Sequence, residues 1–184
     1  MEQTESFETE QQPGYWPSVG MAAFIFAIAT TALGLIMGYA IIGGSTGWIF
    51  SSIFGVVICL VGAFGGMMAV WHYAREYQLK ITLGKGALIG FLTGVVMVVI
   101  SVVFSEIWQF FDPAYTQKMI ESMVSGFEAM DMPQEQIDAA FQSIKNRQTI
   151  SSQLLWGIPV SGILNLLTGM LGVALFAKKK ETDY

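Results

Sequence analysis

The sequence predicts an all-α, polytopic membrane protein with four transmembrane helices and an extracytoplasmic amphipathic helical hairpin between the third and the fourth. Three observations predict it. Of the 184 residues, 53% are hydrophobic and only 12% charged, about half the charged fraction of an ordinary soluble domain. No Asp, Glu, Lys or Arg stands between Glu10 and Arg75, a gap of 64 residues (11–74) that holds two spans of about 20 residues each. The apolar residues also gather into four runs, 19–42, 48–73, 86–111 and 150–176. Each run is long enough to cross about 30 Å of hydrocarbon with some tilt.

Residues 1–17 carry Glu2, Glu5, Glu8 and Glu10 and no basic residue. A secretory signal needs a positive n-region, so this stretch reads as an acidic tail. The membrane domain then covers 18–177, and 178–184 form a second tail. The first two runs are joined only by Gly43-Gly44-Ser45-Thr46-Gly47, a turn that permits an antiparallel hairpin and little else. Spans one and two are therefore expected to be neighbours. Trp16, Tyr39, Trp48, Trp71, Tyr73, Tyr77, Trp108 and Tyr115 lie at or near span ends, where amphipathic rings favour the headgroup layer.

Basic residues set the expected orientation, because Lys and Arg in short loops resist translocation. Arg75, Lys80 and Lys85 fill the second loop, and Lys178, Lys179 and Lys180 follow the last run. With four spans both groups share one side, which places both termini in the cytoplasm. The loop 112–149 holds Lys118, Lys145 and Arg147 against Asp112, Glu121, Glu128, Asp131, Glu135 and Asp138, and it is expected outside. Asp112-Pro113 has the form of an N-cap followed by proline at the first helical position. Met119, Met123, Phe127 and Met130 recur at helical spacing on Pro113 to Met130. After Asp131-Met132-Pro133, Ile137, Ala140, Phe141 and Ile144 repeat the pattern.

Single counts remove several classes of function. One cysteine, Cys59, excludes an intramolecular disulfide. One histidine, His72, excludes a multi-histidine metal site or a two-histidine relay. A net charge of -5 opposes nucleic-acid binding, which draws its affinity from cations on phosphates. The hairpin methionines suit soft Cu(I) chemically, but at helical spacing they read first as a compliant packing or partner-binding surface. No cofactor, metal or catalytic residue is expected.

Helices in lipid gain no net hydrophobic drive against one another and associate through small residues and interhelical hydrogen bonds. Every run supplies them: Gly34 and Gly38; Ser51, Gly55, Cys59, Gly62 and Gly66; Gly86, Gly90 and Gly94; and Gly157, Ser161, Asn165 and Gly169. Ionisable groups are nearly absent from the runs, with Glu106 close to the outer edge and Asn165 the one amide well inside. The densest polar cluster, His72, Tyr73, Arg75, Glu76 and Tyr77, stands at the inner end with Lys80 and Lys85 following, and helical spacing is expected to bring His72 near Arg75 and Glu76 and Tyr73 near Tyr77. It reads as an interfacial anchor or as an edge for anionic lipid or a partner enzyme.

His72-Tyr73-Ala74-Arg75-Glu76, Ile81-Thr82-Leu83-Gly84-Lys85-Gly86-Ala87 with Gly90, Asp112-Pro113 and Met130-Asp131-Met132-Pro133-Gln134-Glu135-Gln136-Ile137 resemble a bacterial membrane family, domain of unknown function 4199, over roughly residues 20–178. Gln78-Leu79-Lys80 stands here where that family typically carries a glycine-rich turn. The resemblance implies a four-span protein of the bacterial inner membrane and transfers no catalytic residue. The expected function is a non-enzymatic accessory or scaffold subunit for a membrane protein or membrane-associated enzyme, with a homo-oligomer as a further use of the small-residue faces. The alternative is a small transporter or channel using Asn165, Glu106 and the polar stripe of the fourth span. An inner-face enzyme using His72 and Glu76 ranks third.

Overall fold

In the chain's three-dimensional structure, a computed structural model, residues 14–44, 48–77, 81–130, 132–147 and 149–176 are described, without the side chains of 48–52 and 147. Lys80, Asp131, the Ser45–Gly47 turn, the N-terminal tail through Pro13 and Lys178 to Lys180 lie outside the described residues. Six helices follow in order: α1 (Trp16–Ile42), α2 (Trp48–Tyr77), α3 (Leu83–Phe111), α4 (Tyr115–Glu128), α5 (Gln134–Arg147) and α6 (Ile150–Phe176). No strand occurs among the described residues. Four of the helices, α1, α2, α3 and α6, are long and apolar enough to cross a membrane. The chain is a multi-pass integral membrane protein.

At 27 to 30 residues and 1.5 Å per residue these helices are about 40–45 Å long, longer than the hydrocarbon core. Their end turns therefore stand in the headgroup layers. Pro17 in the first turn of α1 loses no hydrogen bond by lacking an N–H. The Thr82 side chain caps α3 by accepting from the Lys85 backbone N–H at 3.3 Å. Outward faces carry Ile36, Val56, Val103, Ile163 and Leu171, each more than half exposed, as a lipid-facing surface requires.

The four long helices form a ring in which α1 touches α2 and α3, and α6 touches α2 and α3. The α1–α2 pairing agrees with the short turn that joins them. The most extensive contact is between α3 and α6, which the hairpin separates in sequence. The end of the ring where α1 begins is the basic end, and the opposite one is the hairpin end.

The buried apolar core is lopsided. Val19, Ala22, Val70, Tyr73, Ile89 and Val173 belong to one cluster in the basic half, and Ala23, Ala27 and Met97 form a smaller one near mid-height. Towards the hairpin end two cavities lie between the helices.

The hairpin starts later than the sequence suggests. Asp112 does not open α4: its backbone N–H donates to the Trp108 carbonyl and closes α3, while its carboxylate accepts from the Tyr39 hydroxyl at 2.7 Å. With that carboxylate engaged by α1, α4 begins at Tyr115 with Ala114 in the cap position. No α4 side chain is buried. Ile137 of α5, only 3% exposed, is the apolar anchor between the two short helices.

Candidate functional site

The centre of the bundle is a polar seam on α6. In a medium without water, a mid-helix amide must be satisfied by protein. The Asn165 Oδ1 accepts from the Gly66 backbone N–H at 2.6 Å. Its Nδ2 donates to the Ser161 carbonyl at 3.0 Å and lies 3.3 Å from the Ser161 Oγ. The Ser161 hydroxyl donates to the Gly94 carbonyl at 3.3 Å, and the Thr168 hydroxyl donates to the Ala63 carbonyl. One face of α6 thus hydrogen-bonds to both α2 and α3.

Glycine lets the backbones come close enough for those bonds. A Cβ at Gly66 or Gly90 would collide with the Asn165 carbonyl oxygen, and one at Gly94 would lie 2.5 Å from the Ser161 oxygen. Gly86 faces Val173, and Gly169 faces the Gly86 carbonyl. The α1 glycines are placed differently. Nothing lies within 4 Å of a Cβ built at Gly34, whereas Gly38 is packed by the Tyr115 ring and hydroxyl from α4. The motif spacing is the same on α1 and α3, but only on α3 does another span fill the groove.

At the basic end His72 does not pair with Arg75 or Glu76 along its own helix. Its Nδ1 meets the buried Ser18 hydroxyl of α1 at 2.9 Å. The Lys85 Nζ donates to the Tyr73 hydroxyl at 2.7 Å, and the Tyr73 ring meets that of Tyr77 at a tilt of 56°, with centroids 5.2 Å apart. Arg75 lies over the Trp71 ring at 5.3 Å, a cation–π contact typical of a headgroup-level anchor. Glu76 is exposed. The cluster therefore ties α1, α2 and α3 together while presenting Arg75 outward.

The hairpin end holds a second cluster, which sequence spacing did not reveal because its members come from three helices. Tyr39 of α1 contacts Tyr115 of α4 at 5.0 Å and the Trp108 ring of α3 edge-on at 6.3 Å. The Trp108 Nε1 is buried without a hydrogen-bond partner among the described residues. Burial, then the neighbouring Tyr39 and Asp112, hold the Tyr115 hydroxyl above its ordinary pKa, so it stays neutral at physiological pH. Tyr115 is the latch between hairpin and bundle. Tyr115→Ala is expected to remove an aromatic contact worth about 1 kcal/mol and to raise tryptic cleavage of the hairpin roughly fivefold. Tyr115→Phe should behave as wild type, and equal cleavage of Tyr115→Ala and wild type would remove the latch.

Residues 18–179 match a family described as "Protein of unknown function (DUF4199)". The chain belongs to the DUF4199 family. The match begins at Ser18, the first buried residue of α1, and takes in all of α2 to α6. It therefore covers the seam and both end clusters of this DUF4199 chain. No curated protein and no solved structure matches it.

Proposed function

We propose that this DUF4199 protein is a non-enzymatic accessory or scaffold subunit of the bacterial inner membrane, with both termini in the cytoplasm, that holds a membrane-associated partner. One observation carries the reading: α4 is an amphipathic helix fixed to the bundle through Tyr115, yet none of its side chains is buried. Met123, Val124 and Phe127 are only partly covered, and Met130 is 48% exposed. Methionine-rich amphipathic faces suit protein partners because their side chains adapt to the surface they meet. Arg75, exposed over the Trp71 ring, supplies an edge for anionic headgroups at the opposite end.

The test is cross-linking on intact cells with a membrane-impermeant amine reagent, which can reach Lys118 and Lys145 only if the hairpin is outside. A reproducible cross-linked partner that disappears when both lysines are changed to arginine supports the reading. Labelled protein that remains uncross-linked in native membranes removes the partner, and absence of labelling reverses the orientation.

The transport reading has one observation in its favour, a cavity in the hairpin half of the bundle. Among the described residues no charged side chain lines it, and Asn165 at its floor is committed to Gly66 and Ser161. A coupled carrier ordinarily places ionisable groups in such a space, so the accessory role ranks first.

A further inference from the structure

The space between the helices in the hairpin half has the chemistry of a ligand site. A cavity of about 290 Å³ lies among α2, α3 and α6, with Thr30 of α1 on one wall. A second space of about 290 Å³ lies between α1 and α3 against Tyr115. Thr30, Ser101 and Ser105 line both, so the two spaces share a wall. Each stands at the lower end of the size range of small-molecule pockets, about 300 Å³.

Three properties narrow the occupant. The first is polarity: the walls are mostly apolar, with Ile58, Met97, Val98, Val160 and Leu164, and among the described residues carry no Asp, Glu, Lys, Arg or His. An ionic head inside would be desolvated without a counter-charge. The second is depth. The first cavity runs from Gln153, in the first turn of α6, to Asn165, twelve residues or about 18 Å of helix. One leaflet's share of a hydrocarbon core is about 15 Å. The floor is closed by the Gly66–Asn165–Gly90 contacts, so the space is a blind slot one leaflet deep rather than a path through the bundle.

The third property is where hydrogen-bonding groups stand. The Asn165 amide, the Ser161 hydroxyl and the Thr30 hydroxyl are bonded to protein carbonyls or amides, with Thr30 donating to the Phe26 carbonyl at 2.7 Å. The Ser101 and Ser105 hydroxyls take no part in those cross-helix bonds. They lie one turn apart, in the last three turns of α3, on the hairpin side of the Val98–Gly157 contact and towards the mouth of the cavity. A hydroxyl donates, and an ester carbonyl can only accept.

We propose that this slot binds one acyl chain of an ester-linked diacyl lipid from the leaflet at the hairpin end, with the chain along α6 and the ester carbonyl at Ser101 and Ser105. The inference is independent of the accessory role, because it needs no protein partner.

Met97 is the reporter. It lines the cavity yet is only 7% exposed, so a chain in the surrounding bilayer does not reach it. The full-length protein is reconstituted with phosphatidylethanolamine carrying a photoactivatable diazirine at mid-chain, irradiated and mapped by peptide mass spectrometry. Adducts on Met97 are expected along with those on the outward Val103 and Ile163. Ser101→Leu, which narrows the slot, should lower the Met97 adducts at least fivefold and leave Val103 and Ile163 unchanged. In the wild-type protein, excess unlabelled monoacylglycerol should suppress the Met97 adducts while hexadecane, which has no ester, should not. Labelling of Val103 and Ile163 without Met97 would mean boundary lipid only and overturn the proposal. Met97 labelling that hexadecane suppresses equally would overturn the role of the ester and of the two serines. The competition arm needs no variant, so a Ser101→Leu chain that fails to fold leaves the outcome decided.

Discussion

Gly90→Ala should destabilise the bundle by about 3 kcal/mol, the upper end of what overpacking costs. The added methyl would meet the Asn165 carbonyl oxygen and carbon and the Gly169 Cα, which are all backbone atoms. No side-chain rotation relieves such a contact, so α3 and α6 must separate along their whole seam. For a chain of this length the loss corresponds to a fall of roughly 6–12 °C in the thermal midpoint, read in mild detergent by loss of monodispersity or of helical signal. Gly34→Ala is the matched control. Its Cβ has open space, and alanine is the better helix former, so the midpoint should hold or rise slightly. Equal losses at the two glycines would mean that the α3–α6 approach is not what glycine is needed for.

The second large effect is expected at Asn165. Asn165→Ala removes the acceptor of the Gly66 N–H and the donor to Ser161. Interhelical hydrogen bonds in membranes average about 0.6 and reach about 1.7 kcal/mol, and a buried amide left without its partner costs about 1–3 kcal/mol. A net loss of about 2–3 kcal/mol follows, comparable with that at Gly90. Two readouts check it: the thermal midpoint, and hydrogen exchange at the Gly66 amide, which should speed up more than that of amides on the outer turns of α2. Asn165→Asp keeps the acceptor but buries a carboxylate without a cation, so it should rescue nothing at neutral pH. An unchanged Gly66 exchange rate in Asn165→Ala would show that the bond contributes no protection. The two variants should be less than additive, because both act at Asn165, whose carbonyl meets Gly90 and whose side chain bonds Gly66.

Much of the architecture was legible in the chain because its signals are local. A run of about 25 apolar residues can satisfy its backbone in lipid only as a helix, so the four runs map onto α1, α2, α3 and α6 with ends shifted by a few residues. The methionine and isoleucine spacing in 112–149 marked two short amphipathic helices for the same reason. Where a local signal met a distant partner, the local reading failed. Asp112 has the sequence of an N-cap, but Tyr39, 73 positions away, holds its carboxylate, and α4 starts two residues beyond Pro113. His72 has neighbours at helical spacing, but its bond goes to Ser18.

The glycines mark the limit most clearly. Gly34 and Gly38 repeat the four-residue spacing of Gly86, Gly90 and Gly94, and spacing alone does not distinguish them. One set meets open space and a tyrosine of the hairpin, the other the backbone of α6. The sequence by itself determined that this is a four-span membrane protein with an amphipathic hairpin, because helix formation in lipid depends on each segment's own apolar length. Only the tertiary structure decided that α6 lies between α2 and α3, that Asn165 closes the seam, and that the hairpin half opens into a hydroxyl-lined slot. Those depend on which small side chains face each other across helices, and small residues mark where a backbone can come near without specifying which one does.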